Sequence, residues 1–144
     1  MDEQKAVKTL KDIVIRFSGD SGDGMQLTGT IFSDLSAMTG NTISTFPDFP
    51  AEIRAPQGTL SGVSGYQVQI GSRTVRTPGE LADILVAMNP AALKVSVKHL
   101  KRDSIIIIDT DSFTANDLKK AEFKTEEPFE ELGLKTQQVI PAPI

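Results

Sequence analysis

Two apolar spacings alternate along the chain. Residues 13–17 (IVIRF) form a short run of strand character that leads directly into a glycine-rich stretch, residues 19–24 (GDSGDG). From Met25 to Met38 the spacing changes. Leu27, Ile31, Leu35 and Met38 recur at steps of four, four and three, which places them on one face of a helix. Gly40 follows where a helix end favours a left-handed residue. Residues 41–46 (NTISTF) read as a second strand. The opening therefore predicts strand, glycine-rich turn, helix, strand.

Residues 47–58 (PDFPAEIRAPQG) carry Pro47, Pro50 and Pro56 and predict an irregular loop. Tyr66, Val68 and Ile70 alternate with Gln67 and Gln69, a strand with one wet face. Gly71-Ser72 suits a hairpin turn, with residues 73–76 as the returning strand. Thr77, Pro78 and Glu80 form a capping-box pattern for a short helix. Residues 84–88 (ILVAM) predict an apolar strand, and Asn89-Pro90 opens a helix with Leu93, Val97 and Leu100 inward. Residues 105–108 are four consecutive isoleucines ending at Asp109. A run that is apolar on both faces predicts a central parallel strand covered above and below, beside residues 13–17. Thr114 caps a helix to residue 121, residues 122–135 read as a charged loop, and Val139-Ile140 begins a last strand. Strands alternating with helices predict a Rossmann-like three-layer α/β fold. Its sheet is mainly parallel with helices on both faces and one antiparallel hairpin excursion at residues 60–76. The whole of 1–144 reads as a single domain. Its ending on the apolar VIPAPI, with no helix after it, leads us to expect an N-terminal fragment of a longer subunit.

Composition narrows the chemistry. A chain of 144 residues buries about 68–70% of its unfolded surface and needs no disulfide or metal to hold together. Apolar residues make up 39% and charged residues 24%, a globular mixture. The net charge of −4 gives nucleic acid no electrostatic footprint. No apolar run reaches the ~20 residues of a membrane-spanning helix, and MDEQKAVKTLKD lacks a signal-peptide core, so the expected location is cytoplasmic. There are no cysteines, which removes iron–sulfur and thiolate chemistry from this chain, and the one histidine, His99, removes a multi-histidine metal site.

The glycine-rich turn is the main binding candidate. It joins a strand to a helix, the place where α/β sheets take ligands. Gly19, Gly22 and Gly24 allow close backbone approach, and the free amides of the following helix suit a phosphate. Gly29 lets that helix pack closely on the sheet. The spacing is GxxGxG rather than GxGxxG, and no Walker lysine follows. Asp20 and Asp23 would repel a phosphate unless turned away, so an anion pocket and a plain structural turn both stay open. We take Gly19, Asp20, Ser21, Gly22, Asp23 and Gly24 as the candidate binding residues. Asp48 lies roughly where a ribose-binding acid would sit. Gly22-Asp23-Gly24 resembles the start of a thiamine diphosphate motif, but residues 42–60 contain no asparagine to hold its magnesium, and that reading is rejected.

Elsewhere the chemistry-bearing residues read blandly. Asp109 and Asp111 follow the isoleucine run; they could bind a metal or act as acid and base, but more often such residues cap the next helix. His99 lies near a helix C-terminus. Lys94, Lys98, Lys101 and Arg102 read as a solvated helix face rather than a ligand site.

With those motifs in view, the chain resembles a family. IVIRFSGDSGDGMQLTGTIF followed by FPDFPAEIRAPQG is similar to the gamma domain of 2-oxoacid:ferredoxin oxidoreductases. Ser21 stands at the family's second loop glycine, and Ala55-Pro56 stands where Gly-Gly is usual. The resemblance implies an enzyme complex that decarboxylates a 2-oxoacid on thiamine diphosphate with magnesium. It passes electrons through iron–sulfur clusters to ferredoxin and forms an acyl-CoA. Fusion of this domain ahead of an alpha domain resembles the 2-oxoglutarate branch. It further implies that the thiamine and the clusters sit in other domains or subunits. The partners would be the remainder of an alpha subunit and a thiamine-binding beta subunit. Glu52 and Arg54 would contact a partner domain or a CoA phosphate, a task suited to arginine. An independent nucleotide-binding enzyme or a scaffold module stays the alternative.

Overall fold

A computed structural model of the chain describes residues 12–20, 24–48, 62–71 and 81–144. The elements run β1 (Asp12–Asp20), α1 (Met25–Met38), β2 (Thr42–Asp48), β3 (Val63–Gly71), β4 (Ala82–Ala87), α2 (Pro90–Ser96), β5 (Leu100–Asp109), α3 (Ala115–Lys120), α4 (Pro128–Glu131) and β6 (Gln138–Ala142). Single 3₁₀ turns at Val97–His99 and Thr110–Ser112 flank β5.

The six strands form one sheet in the order β2-β3-β1-β4-β5-β6. β3 is antiparallel to both β1 and β2, while the β1–β4, β4–β5 and β5–β6 pairs are parallel. Five strands therefore run one way and β3 alone runs the other. The expected antiparallel excursion is β3. It slots between β1 and β2, so the opening strand–helix–strand unit is a crossover that straddles it.

The chain moves left from β1 to β2 and right from β4 to β6. Right-handed crossovers then put α1 and α2 on opposite faces. The side chains agree. On one face Ile15, Phe17, Tyr66 and Val68 pack under Met25 and Phe32 of α1. On the other, Leu85, Ala87, Ile106 and Ile108 pack against Ala91 and Leu93 of α2 and Leu118 of α3. Leu85, Leu93 and Ile106 are fully buried, each contributing about 1.5–3 kcal/mol relative to exposure.

Sequence and structure part company at several points. α1 has the expected bounds, and Gly40 ends it at φ 87°. Yet the Leu27, Ile31, Leu35 and Met38 face points outward. The helix instead lays Met25, Gly29 and Ser33 on the sheet, with Ser33 Oγ satisfied by donating to Gly29 O at 2.7 Å. Small residues win because they let the helix come close: a Cβ on Gly29 would sit 2.1 Å from Tyr66 Cδ1. Gln67 and Gln69 are buried rather than wet. The isoleucine run is a parallel interior strand, but β4 separates it from β1, and only Ile106 and Ile108 are fully covered. The helix opened by Asn89 ends at Ser96, so Leu100 belongs to β5. The charged segment after residue 121 contains the one-turn α4. Thr114 caps α3 as expected, in a reciprocal capping box with Asp117. β2 begins at Thr42 and runs on through Pro47 to Asp48, which an edge strand tolerates. The proposed turn at Ser72, the strand at 73–76 and the capping box at 77–80 lie outside the described residues.

Candidate binding site at the carboxyl ends of β1 and β4

Sheet order reverses between β1 and β4, and the crevice at such a switch point is where open α/β sheets bind ligands. β1 extends further than its apolar run suggests. Gly19 and Asp20 belong to the strand, paired with Ser64 and Val63 of β3. The strand continues because Ser18, Gly19 and Asp20 find a full ladder on β3. Gly24 is the N-cap of α1 at φ 72°, a left-handed conformation that glycine adopts without strain. As a glycine it offers no side chain to cap the first turn. Thr28 N donates to Gly24 O at 2.8 Å, closing the first helical turn. Gln26 Nε2 donates to Gly65 O at 3.0 Å, holding that turn over β3.

On the other lip, α2 starts with Asn89. Its Oδ1 accepts from Ala92 N at 2.8 Å, capping the helix, and its Nδ2 donates to Asp20 Oδ1 at 3.1 Å. Met88 N donates to Ser18 O at 2.9 Å, extending the β1–β4 ladder to the rim. Asp20 and Asn89 are both buried. The asparagine thus ties Asp20 to the start of α2 at the rim.

Beneath the rim lies a buried polar layer on the α2 side. Ser96 Oγ donates to Ser18 Oγ at 2.9 Å, and Ser18 Oγ donates to Ser64 O at 3.4 Å. Arg16 is buried, with Nη1 donating to Gln67 Oε1 at 3.5 Å. A Cβ on Gly65 would come 3.0 Å from Arg16 Nη2, so this glycine makes room for the guanidinium.

Of the sequence candidates, the structure brings Gly19, Asp20 and Gly24 to this crevice. Ser21, Gly22, Asp23, Glu52 and Arg54 lie outside the described residues. Asp48 ends β2, two strands from β1, a separation of about 10 Å. The inserted β3 therefore takes β2 out of the position from which an acid reaches a ribose in dinucleotide-binding domains. Sequence reading missed Asn89 as a site residue. Its Asn-Pro context signalled only a helix start, and the partner Asp20 is 69 residues away.

The remaining candidates play structural parts. Asp109 caps the 3₁₀ turn after β5, accepting from Asp111 N, Ser112 Oγ and Ile144 N. Burial alone would raise this carboxyl, but those three hydrogen bonds outweigh it and hold the group below its ordinary value. Lys94 Nζ donates to Glu122 O at 2.9 Å and lies 5.0 Å from the Phe123 ring centre, and Lys101 pairs with Asp83 at 2.9 Å. Among the described residues, no group of three or more His, Asp or Glu side chains is placed to hold a metal, and no helix is long and apolar enough to cross a membrane.

A Rossmann-like α/β domain with a glycine-rich strand-to-helix turn at its switch point is thus defined. The family model for pyruvate ferredoxin/flavodoxin oxidoreductases matches residues 14–144, and the chain belongs to that family. It is 51% identical over 116 residues to the 2-oxoglutarate oxidoreductase subunit KorA of Mycobacterium tuberculosis. That match covers 81% of this chain and 18% of the relative. A second relative is the common gamma subunit of the pyruvate/ketoisovalerate oxidoreductases of Pyrococcus abyssi, 26% identical over 78% of this chain and 60% of its own length. The chain thus spans about a fifth of one curated relative and three fifths of the other. Among solved structures, the fold is shared with the 2-oxoglutarate:ferredoxin oxidoreductase of Magnetococcus marinus (TM-score 0.68, 24% identity, 94% of this chain and 20% of that one). It is shared too with a keto/oxoacid ferredoxin oxidoreductase gamma subunit from Geobacter sulfurreducens (TM-score 0.62, 21% identity, 93% of this chain and 62% of that one).

Proposed function

We propose that this chain is the gamma-type domain of a 2-oxoglutarate:ferredoxin oxidoreductase alpha subunit, working in a cytoplasmic complex that yields succinyl-CoA, CO2 and reduced ferredoxin. The observation that carries this is the 51% identity to a 2-oxoglutarate oxidoreductase subunit over 81% of the chain. The domain contributes no redox centre: with no cysteine it offers no thiolate ligands to a cluster. Nor do its residues fit thiamine diphosphate, since the magnesium-holding asparagine of that motif is missing from 42–60. Those groups belong to the rest of the alpha subunit and to a beta subunit.

The domain's own part is to bind and to assemble. The start of α1, headed by the side-chain-free N-cap Gly24, supports an anion site for a CoA phosphate at residues 19–24. Coenzyme A and succinyl-CoA are among the bound molecules named for the Magnetococcus marinus enzyme. Glu52 and Arg54 would serve the same phosphate or a neighbouring domain. The alternative, an independent nucleotide-binding protein, is disfavoured by β3, which displaces the end of β2 from β1. Calorimetry with CoA, NAD and AMP tests the assignment. Binding of CoA that is lost in Gly22→Val, with the domain still folded, supports it. Preference for NAD, or no CoA binding, overturns it.

A further inference from the structure

The side of the sheet that carries α1 is only half covered by described elements. α1 packs on β1, β2 and β3, while α2, α3 and α4 serve the opposite face. Register extends the α1 face across the remaining strands. Ile84 and Val86 sit beside Ile15 and Phe17, Ile105 and Ile107 beside those, and Ile140 beside Ile107. Four of these five are half-buried and Ile140 is 38% exposed. A cavity of about 300 Å³ opens at the amino end of this surface, lined by Ile13, Ile84 and Ile105 and edged by Asp83, Thr136 and Gln138.

α1 raises an apolar wall beside it. Leu27 is 64% exposed, Ile31 50%, Leu35 58% and Met38 83%. Phe32 leans on Phe17 of β1 with ring centres 5.7 Å apart, whereas Gln26 reaches β3. Helical geometry then sets Leu35 on the shoulder of α1 nearer β4, with Ile31 above it towards the outer crest of the helix. The helix carries one charged residue, Asp34. Helix wall and sheet floor form one continuous apolar trough.

We infer that this trough, walled by Ile31 and Leu35 and floored by the β4–β6 isoleucines, is the seat of a helix from the remaining polypeptide of a longer subunit. The inference rests on the family reading above. Parallel strands occur almost only with both faces covered by helices, which fixes the kind of occupant. Crossovers within β4–β6 have placed their helices on the other face, so no described helix covers these strands on the α1 side. The 51%-identical relative devotes only 18% of its length to the matched region, which supplies a source within the same subunit. An isolated patch of this size on a finished protein marks an interaction surface.

The absence of cysteine allows a test that barely perturbs the fold. Ile31→Cys and Ile140→Cys report on the two walls, and Lys120→Cys on α3 is the exposed control. Each is made in the chain alone and in a chimera where this chain replaces the matched part of the Mycobacterium tuberculosis subunit, co-expressed with its beta subunit. Maleimide labelling is read by mass spectrometry of the peptides. The expected result is labelling at 31 and 140 slowed by at least about tenfold in the chimera, with position 120 unchanged. A chimera that turns over 2-oxoglutarate while 31 and 140 label at the free rate overturns the trough and leaves the family reading standing. A chimera that neither assembles nor turns over removes both. Protection already present in the isolated chain, with a dimeric mass by light scattering, assigns the trough to a second copy and overturns the occupant inferred here.

Discussion

Asn89 Nδ2 donates to Asp20 Oδ1 at 3.1 Å, and the same side chain caps α2 through Ala92 N. One residue thus ties the two lips of the switch-point crevice. Replacing it separates the two duties. Asn89→Ala should cost about 2–4 kcal/mol, the sum of a lost cap and a lost hydrogen bond to a carboxylate. Asn89→Ser keeps the cap and should recover about 1 kcal/mol of that. If CoA binds at residues 19–24, both variants should weaken it, because the tie between the two lips of the crevice is lost. Urea midpoints and CoA titrations on the two variants check this.

Gly29 lies against the Tyr66 ring, where an added Cβ would stand 2.1 Å from Cδ1. Alanine normally favours a helix by up to about 1 kcal/mol over glycine. Here Gly29→Ala should instead destabilise by about 1–3 kcal/mol through overpacking. Tyr66→Leu in the same chain should return part of the loss, since it removes the clashing ring. Thermal melts of the single and double variants measure the coupling.

Asp109 gives an acid-side dependence. Its carboxyl is held below the ordinary aspartate value by hydrogen bonds from Ser112, Ile144 and Asp111 that overcome burial. A depressed folded value means the stabilisation is present above the unfolded value, about 3.9, and is lost as pH falls through the folded one. Asp109→Asn should lower stability at neutral pH and flatten the decline below about pH 4. Urea denaturation at pH 7 and at mild acid compares the two.

The chain alone should show no turnover with 2-oxoglutarate, CoA and a viologen acceptor. Decarboxylation needs an electron sink that side chains do not provide, and the zero cysteines leave no cluster ligands for the electrons. Adding the rest of an alpha subunit and a beta subunit should restore activity. Turnover by the purified chain with no other subunit would contradict the proposed role.

Local rules read well where neighbours in sequence are neighbours in space. The bounds of α1, its Gly40 terminus, the Thr114 cap and the strand character of the isoleucine run all follow from contacts within about four residues. The strand and helix on either side of the glycine-rich segment were legible for the same reason, and the family showed in those flanking residues. What the one-dimensional pattern could not reveal was set by partners far along the chain. β3 chose its place between β1 and β2, which buried Gln67 beside Arg16 across 51 residues and carried Asp48 away from the turn. Asn89 became a site residue only when β4 was laid beside β1. The outward face of α1 is the sharpest case. Apolar spacing identifies one side of a helix but not which surface it meets. The sheet accepted Gly29 and Ser33 because Tyr66 needed the room, and left Leu27, Ile31 and Leu35 for something else to cover.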